Sequence, residues 1–437
     1  MSSLQLHTTH KTAAAGWLDS SSELDSTFMQ LDDPDEAETG APQRYFTISA
    51  TELTQIEFAA QSLHNMFLAA TERVMASPEL LSRFQIPKPL WSRIKDSWYN
   101  SSRQTIAGRM DFAVGGAADI KAFEYNIDTA SCLFEAGSTQ GRWAEAVGLA
   151  GLDAGRGVFN KLVATWKATE IQGTLHLMHD DDPEEKYHAL YMASAAEEAG
   201  LTCKLVCGVQ GLHRVSDGTI HDSDGEPIRQ VWKTWAWETV FDQFVDGSDT
   251  LCLADVLLAP DVNVFEPLWT AIPNNKAILP VLWQLFPNHR NLLRSEFELS
   301  EELASSAAGY VQKPIVGRCG QGVTMVDVAG DVVASLGTTK FAEKNSVFQE
   351  MRALPTVAGA GSVLVCPWII GGEACGVVLR VDKGLITTVD SPICCLRVAD
   401  DKKALMTPRL GLGRSISEPI IGQFTHTTVA PIAQLAY

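Results

Sequence analysis

The chain has 437 residues, 46% of them apolar and 20% charged, material for two or three domains or one large composite enzyme domain with an ordinary soluble core. Lys and Arg number 34 against 53 Asp and Glu, a balance of −19 that argues against a general nucleic-acid binder but not against ATP, which needs only a few well-placed cations. No apolar run reaches the roughly 18 residues of a membrane span, no signal-peptide pattern opens the chain, and the nine scattered cysteines form no CxxC pair. Disulfide scaffold and structural zinc are therefore not expected; reduced thiols in a cytoplasm are.

Residues 1–43 read as a disordered, solvated leader, with eight acids between Asp19 and Glu38 and Lys11 as the only Lys or Arg. Residues 48–76 carry apolar side chains at helical spacing, with Thr51-Glu52 as the start signal. Next come β-type segments at 110–114 and 120–125 around Gly115-Gly116, which predict a hairpin, and a helical pattern over 132–150. A strand at 174–178, a turn at 180–183, a helix over 184–200 closed by Gly200 and a strand at 201–209 make a βαβ unit. The last third differs. Short strands at 310–316, 323–328, 362–369, 376–381 and 385–389, parted by Gly-containing turns, predict an antiparallel sheet. An α/β half joined to an antiparallel half with a Gly-rich hairpin suits an enzyme that clamps a nucleotide. Residues 406–437 read as an extension packed loosely on the body.

Several groups of residues are candidates for chemistry. On strands, residues two apart share a face, so Arg109 with Asp111, and Glu124 with Asn126, project together. If the two strands pair, two carboxylates and a carboxamide oxygen stand beside a guanidinium, the donor set that magnesium-bound phosphates need. An exposed face with a cross-strand salt bridge fits the same spacing. Thr129, Ser131 and Cys132 open the next helical segment, where an anion could bind, or where a plain N-cap would look the same.

The run Asp180-Asp181-Asp182-Pro183-Glu184-Glu185 is explained in part by capping, with Asp182 as N-cap and Pro183 at the first helical position. Five carboxylates in six residues exceed that need, and at the end of an α/β strand they suit a cationic substrate such as a polyamine. Lys276 and Lys313 are isolated, and Lys313 leads into Gly317-Arg318-Cys319-Gly320-Gln321-Gly322, a loop able to cradle phosphate without being a Walker A motif. Arg380 lies in an apolar strand, as a salt-bridge partner or a stabiliser of transferring charge. Trp232, Trp235 and Trp237 read as core packing.

Taken in order, the strings FEYNIDTASCLFEAG, DDDPEEKYHALYM, VWKTWAWETVFDQF, VFEPLWTAIPNNKAILPVLWQLFPNH, YVQKPIVGRCG and FQEMRALP resemble the synthetase domain of glutathionylspermidine synthase, in the ATP-grasp superfamily, from about Tyr45 to about Val398. The resemblance implies a mixed α+β and α/β chain over residues 44–405: a permuted, glutathione-synthetase-like ATP-grasp fold with an α/β substrate-binding layer. It also implies roles. Arg109 contacts phosphate and, with Arg380, serves the transition state. Asp111, Glu124 and Asn126 hold magnesium, expected as two ions, with Asp111 also facing ATP. Lys276, Lys313, Cys319, Gly320, the run Gln349, Glu350, Met351 and Arg352, and Leu385, Ile386 and Thr387 bind ATP. Thr129, Ser131, Cys132 and Thr234 line the thiol-peptide site, and Glu184 and Glu185 meet the amine. The expected partners are small molecules (ATP, a thiol peptide, an amine), with neither nucleic acid nor membrane and with a homodimer left open.

The implied reaction is an ATP-dependent ligation of a glutathione-like carboxylate to a spermidine-like amine through an acyl phosphate. Two departures stand out. Residues 1–43 are too short for the family's N-terminal amidase domain, so hydrolysis of the product is not expected. Pro392 falls where the family carries an acidic polyamine-binding residue, with Asp390 nearby, which leaves the amine open. The alternatives are the same chemistry on another acid and amine, or a nucleotide-binding protein without turnover. Retention of Arg109, Asp111, Glu124, Asn126, Lys276, Lys313 and Arg380 speaks against the last.

Overall fold

Leu53, Ile56, Ala60, Leu63, Phe67 and Val74 recur at helical spacing and bury one face of the helix Ala50–Met75. Ser49 caps it, its Oγ accepting from the Glu52 N–H at 3.2 Å, so the helix starts just ahead of the expected Thr51-Glu52 signal. The computed structural model describes residues 2–13, 16–31, 42–99, 105–246, 250–338 and 340–399. The described residues all belong to one compact unit that ends at Ala399, and the expected extension 406–437 lies outside them.

The helix Ala50–Met75 lies against a six-stranded antiparallel sheet running Ile393–Cys394, Glu373–Asp382, Gly361–Ile370, Ala107–Gly116, Asp119–Asn126, with Thr356–Val357 at its side. The expected hairpin is its 107–116/119–126 edge, in a register that sets Arg109 opposite Asn126 and Asp111 opposite Glu124. A bulge follows at Phe123, because Phe112 pairs with Ala122.

The βαβ reading leads to a four-stranded parallel sheet in the order Asn263–Phe265, Gln230–Lys233, Thr174–His179, Thr202–Cys207, with the crossover helix Pro183–Glu198. Over 132–150 the chain makes a π-helical turn, Glu135–Thr139, then the α-helix Gln140–Ala146. A five-stranded antiparallel sheet of Ser295–Glu296, Ser346–Glu350, Tyr310–Pro314, Thr324–Val326 and Val332–Ser335 carries the Gly-rich loop. The antiparallel strands of the last third thus belong to two sheets instead of one. Among the described residues no helix is long and apolar enough to cross a membrane.

Two expectations are corrected. The described part of the 1–43 segment is folded: Gln5–Thr9 pairs antiparallel with Gln43–Ser49, and the helix Glu23–Phe28 packs on Pro183–Glu198. Its acids have partners, since Asp25 meets Arg142 at 2.5 Å and Glu23 meets Lys186 at 2.7 Å. Phe28 supplies the apolar anchor, edge-on to Phe134 and Tyr187 at 5.3 Å each. Residues 385–389 form a loop, not a strand. Its backbone is satisfied locally: Arg380 Nη2 donates to the Thr388 carbonyl at 2.6 Å, the Thr388 N–H to Ser391 Oγ at 2.7 Å, and the Gly384 N–H to Asp382 Oδ1 at 2.6 Å.

Candidate active site

The hairpin register puts the four expected polar residues on one patch. Arg109 Nε donates to Asp111 Oδ1 at 2.8 Å and its Nη2 to Oδ2 at 3.2 Å, both side chains being buried. Asn126 Nδ2 donates to the same Oδ2 at 3.2 Å, which leaves its amide oxygen without a donor among the described residues. Burial pushes the Glu124 carboxyl up, but the ammonium groups of Lys276 and Lys313 outweigh it and hold it down at about 2. Lys276 Nζ lies 3.2 Å from Glu124 Oε2.

Lys313 projects from the strand Tyr310–Pro314 over the Phe123 ring, 5.1 Å from its centroid, and donates to Gln349 Oε1 at 2.7 Å. Burial lowers its ammonium to about 8 against the pull of Glu124. Beyond it the Gly-rich loop folds under the 385–389 loop. Gly320 has φ +72, and a Cβ there would lie 2.5 Å from Ile386 Cγ2 and 2.7 Å from the Thr387 carbonyl oxygen. Only glycine allows so close an approach. Cys319 beside it is exposed.

These parts enclose one end of a cleft. Asp111, Glu124, Lys276, Lys313, Cys319, Gly320, Gln349, Glu350, Arg352, Leu385, Ile386 and Thr387 line it. Met351 does not: its N–H is tied to the Gly309 carbonyl at 3.0 Å, in the ladder that Tyr310 and Glu350 begin. The other end shares Asp111, Glu124, Lys276, Cys319, Gly320 and Thr387, and adds Arg109, Asn126, Thr129, Ser131, Glu184, Glu185, Thr234 and Arg380. One buried polar atom there lacks a partner among the described residues, Arg380 Nε, while the Thr234 hydroxyl has the Glu185 carboxylate beside it. A bound carboxylate or phosphate would satisfy the guanidinium.

Cys132 departs from expectation. It is buried behind Ser131, outside the cleft lining, with Sγ 3.9 Å from Arg109 Nη1. Burial and the nearby Glu135 push its thiol up to about 12, the opposite of an activated cysteine. Of the acidic run, only Glu184 and Glu185 line the cleft. Asp182 caps the helix, its Oδ1 accepting from the Glu184 N–H at 2.8 Å, and Asp180 accepts from the Asp181 N–H and from Trp235 Nε1. Capping and cleft lining therefore divide the run between them.

Residues not singled out from the sequence also line the cleft, His188, Glu238 and Asn274, together with Arg318 of the Gly-rich loop. His188 follows Glu184 by one helical turn, which was the available signal, and its Nε2 receives the Cys132 N–H at 3.1 Å. Outside the cleft, His176, Asp222 and Glu226 cluster at metal-like spacing. Lys204 Nζ already sits 2.8 Å from Asp222 and 3.0 Å from Glu226, so a lysine supplies the positive charge there.

The sequence model of the glutathionylspermidine synthase preATP-grasp domain matches residues 9–398. The bifunctional glutathionylspermidine synthetase/amidase of Escherichia coli (strain K12) is 39% identical over 393 residues, covering 86% of this chain and 62% of that protein. Trypanothione synthetase of Crithidia fasciculata is 38% identical over 355 residues, covering 77% of this chain and 54% of that protein. The chain thus spans less than two thirds of the length of either relative. Among solved structures, a glutathione synthetase-like effector of Globodera pallida aligns with a TM-score of 0.48 at 10% identity, over 81% of this chain and 89% of that one.

Proposed function

Because the chain belongs to the glutathionylspermidine synthase family, matched over residues 9–398, we propose that its cleft is the active site of an ATP- and magnesium-dependent C–N ligase. The acid is a peptide carboxylate of glutathione type, the acceptor an amine of spermidine type, and the intermediate an acyl phosphate. The fold is accordingly of the ATP-grasp class, with the carboxylates of Asp111 and Glu124 preceding Lys276 and Lys313 in the chain. One observation carries the reading: the hairpin oxygens, both lysines and the Gly-rich loop meet at one end of a cleft whose other end holds Glu184 and Glu185.

Asp111, Glu124 and Asn126 fit magnesium because all three line the cleft and carry hard oxygen atoms, those of Asp111 shared with Arg109. Bound there, in the proposal as two ions, magnesium would neutralise phosphate charge as a Lewis acid. Arg109, Lys276 and Lys313 hold the polyphosphate, and Gln349, Glu350, Arg352 and the 385–387 loop frame the base. Thr129, Ser131 and Thr234 hold the peptide so that its carboxylate oxygen attacks the γ-phosphorus and ADP leaves. Arg380 offsets charge on the transferring group through its free Nε. Glu184 and Glu185 orient the amine, whose nitrogen attacks the acyl carbon. The C–N bond forms as the C–O bond to phosphate breaks, and the proton lost from the nitrogen leaves with the phosphate.

The test uses the full chain with ATP, magnesium, glutathione and a panel of amines, with ADP release followed beside mass spectrometry of the product. An amide with one amine supports the reading. ATP binding without turnover across the panel sinks it and leaves a nucleotide-binding protein. A second reading, the same chemistry on another acid and amine, is favoured by one observation: Asp390 and Pro392 are exposed and do not line the cleft. The nine free thiols support a reducing compartment such as the cytoplasm.

A further inference from the structure

Directly after the hairpin, Asp128 and Lys233 face each other with neither side chain reaching solvent. Lys233 Nζ donates to Asp128 Oδ1, while Asp128 Oδ2 takes the Trp237 N–H at 2.6 Å. The same ammonium donates to the Trp235 carbonyl at 2.8 Å and lies 4.6 Å from the centroid of the Trp237 ring. Around this pair three segments of the cleft converge. Asn126 lies two residues before Asp128, Thr234 directly follows Lys233, and Glu238 directly follows Trp237; all three line the cleft. Thr129 Oγ1 adds a bond to the Thr234 carbonyl at 2.7 Å. Asn274, two residues before Lys276, accepts the Ile127 and Asp128 N–H groups at 3.1 and 3.4 Å.

A fully buried ion pair contributes little net stability over a well-packed apolar pair of the same volume. What it adds here is direction: a single carboxylate fixes an ammonium and the first amide of the helix Trp237–Asp246, and thereby joins the end of the 119–126 strand to the turn that carries Thr234 and to the helix start that carries Glu238. We propose that Asp128 and Lys233 are positioning residues that set the spacing between the phosphoryl-transfer end and the amine end of the cleft, so that the acyl phosphate meets the amine before it meets water. The proposal rests on the ligase reading. When the amine attacks, the C–N bond forms and phosphate departs, one ADP per amide. When water attacks, phosphate departs and the acid is regenerated, so one ATP is spent and one ADP released without an amide.

The measurement is therefore ADP released per amide formed, at saturating amine, together with thermal unfolding. The full chain is compared with Asp128→Asn, Lys233→Met and the paired Asp128→Asn/Lys233→Met variant, which leaves no unpaired charge. Positioning predicts a folded paired variant whose ADP-to-amide ratio rises roughly threefold or more while ADP release itself falls less than about twofold. A folded paired variant with the wild-type ratio overturns the proposal. Equal loss of ADP release and amide, or a paired variant that does not fold, assigns the pair to stability and overturns it too. Wild-type protein that releases no ADP with any amine removes the ligase reading itself, an outcome distinct from intact coupling in the variants.

Discussion

Lys276 Nζ stands 3.2 Å from Glu124 Oε2, so a lysine suited to phosphate and a carboxylate suited to magnesium neutralise each other in the free protein. Nucleotide and metal arriving together would separate them, each taking a new partner of opposite charge. The contact also shows why the two halves of the sequence had to be read together: neither residue alone exceeds an ordinary surface charge.

Removing Glu124 tests this pairing cleanly. Glu124→Ala is expected to lower turnover by a factor of about 100 or more and to cost some stability, because Lys276 and the buried Lys313 lose the carboxylate between them, although Lys276 keeps the Gly317 carbonyl at 3.2 Å. Asp111→Ala should also abolish turnover and cost more, on the order of 3 kcal/mol, since it strands the buried Arg109 guanidinium. Steady-state ADP release and chemical denaturation separate the two variants. Wild-type turnover in Glu124→Ala would refute the metal assignment.

Gly320 is constrained by what lies above it. Gly320→Ala adds a methyl group against Ile386 and the Thr387 carbonyl at φ +72. The loop must shift to admit it, at a cost of about 1 kcal/mol or more. The KM for ATP is expected to rise roughly tenfold, since a shift there moves the loop proposed to cradle the phosphates. Ser or Ala at Gly330, also at positive φ but with open space around it, should leave that KM unchanged.

Glu266 supplies a pH dependence. It is 2% exposed, and burial pushes its carboxyl up to about 8 even though the Ile106 and Ala107 N–H groups bond to it. Its folded value lies above its unfolded one, so its contribution to stability is complete below about pH 4.5 and is lost as pH rises through about 8. Glu266→Gln keeps the shape and removes the titration. Urea denaturation between pH 5 and pH 9 should show wild type losing on the order of a few kcal/mol relative to the variant. Parallel curves would show that Glu266 is ionised throughout.

Local signals carried much of the architecture. Alternation and a Gly pair marked the hairpin, and from it the patch of Arg109, Asp111, Glu124 and Asn126 followed by period alone. Contacts between distant segments were not legible. Nothing local distinguishes Lys233 in its aromatic run from a surface lysine, and only the fold brings Asp128 to it. Cys132 shares the helix-start pattern of Ser131, yet one residue of offset turns it from the cleft into the core. The β-like composition of 385–389 was outweighed by side-chain bonds from Arg380 and Ser391 that no propensity records. In the acidic N-terminal segment, average charge hid the spacing of Asp25 and Phe28, which a short helix places against Arg142 and Tyr187.

That short helix braces from behind the end of the cleft lined by Glu184 and Glu185. Phe28 packs on Tyr187, whose hydroxyl donates to Glu135 Oε1 at 2.6 Å, and Tyr187 belongs to the same helix as Glu184 and Glu185. Phe28→Ala opens a cavity at a buried anchor and is expected to cost about 3 kcal/mol. Arg142→Gln leaves the Asp25 carboxylate, 4% exposed, without its guanidinium and should destabilise the same contact less strongly, because Arg142 itself is a third exposed. In both variants the KM for the amine should rise several-fold while the KM for ATP stays put, since the nucleotide end of the cleft is built on other strands. Matching increases in both constants would mean that the brace supports the whole cleft and not its amine wall.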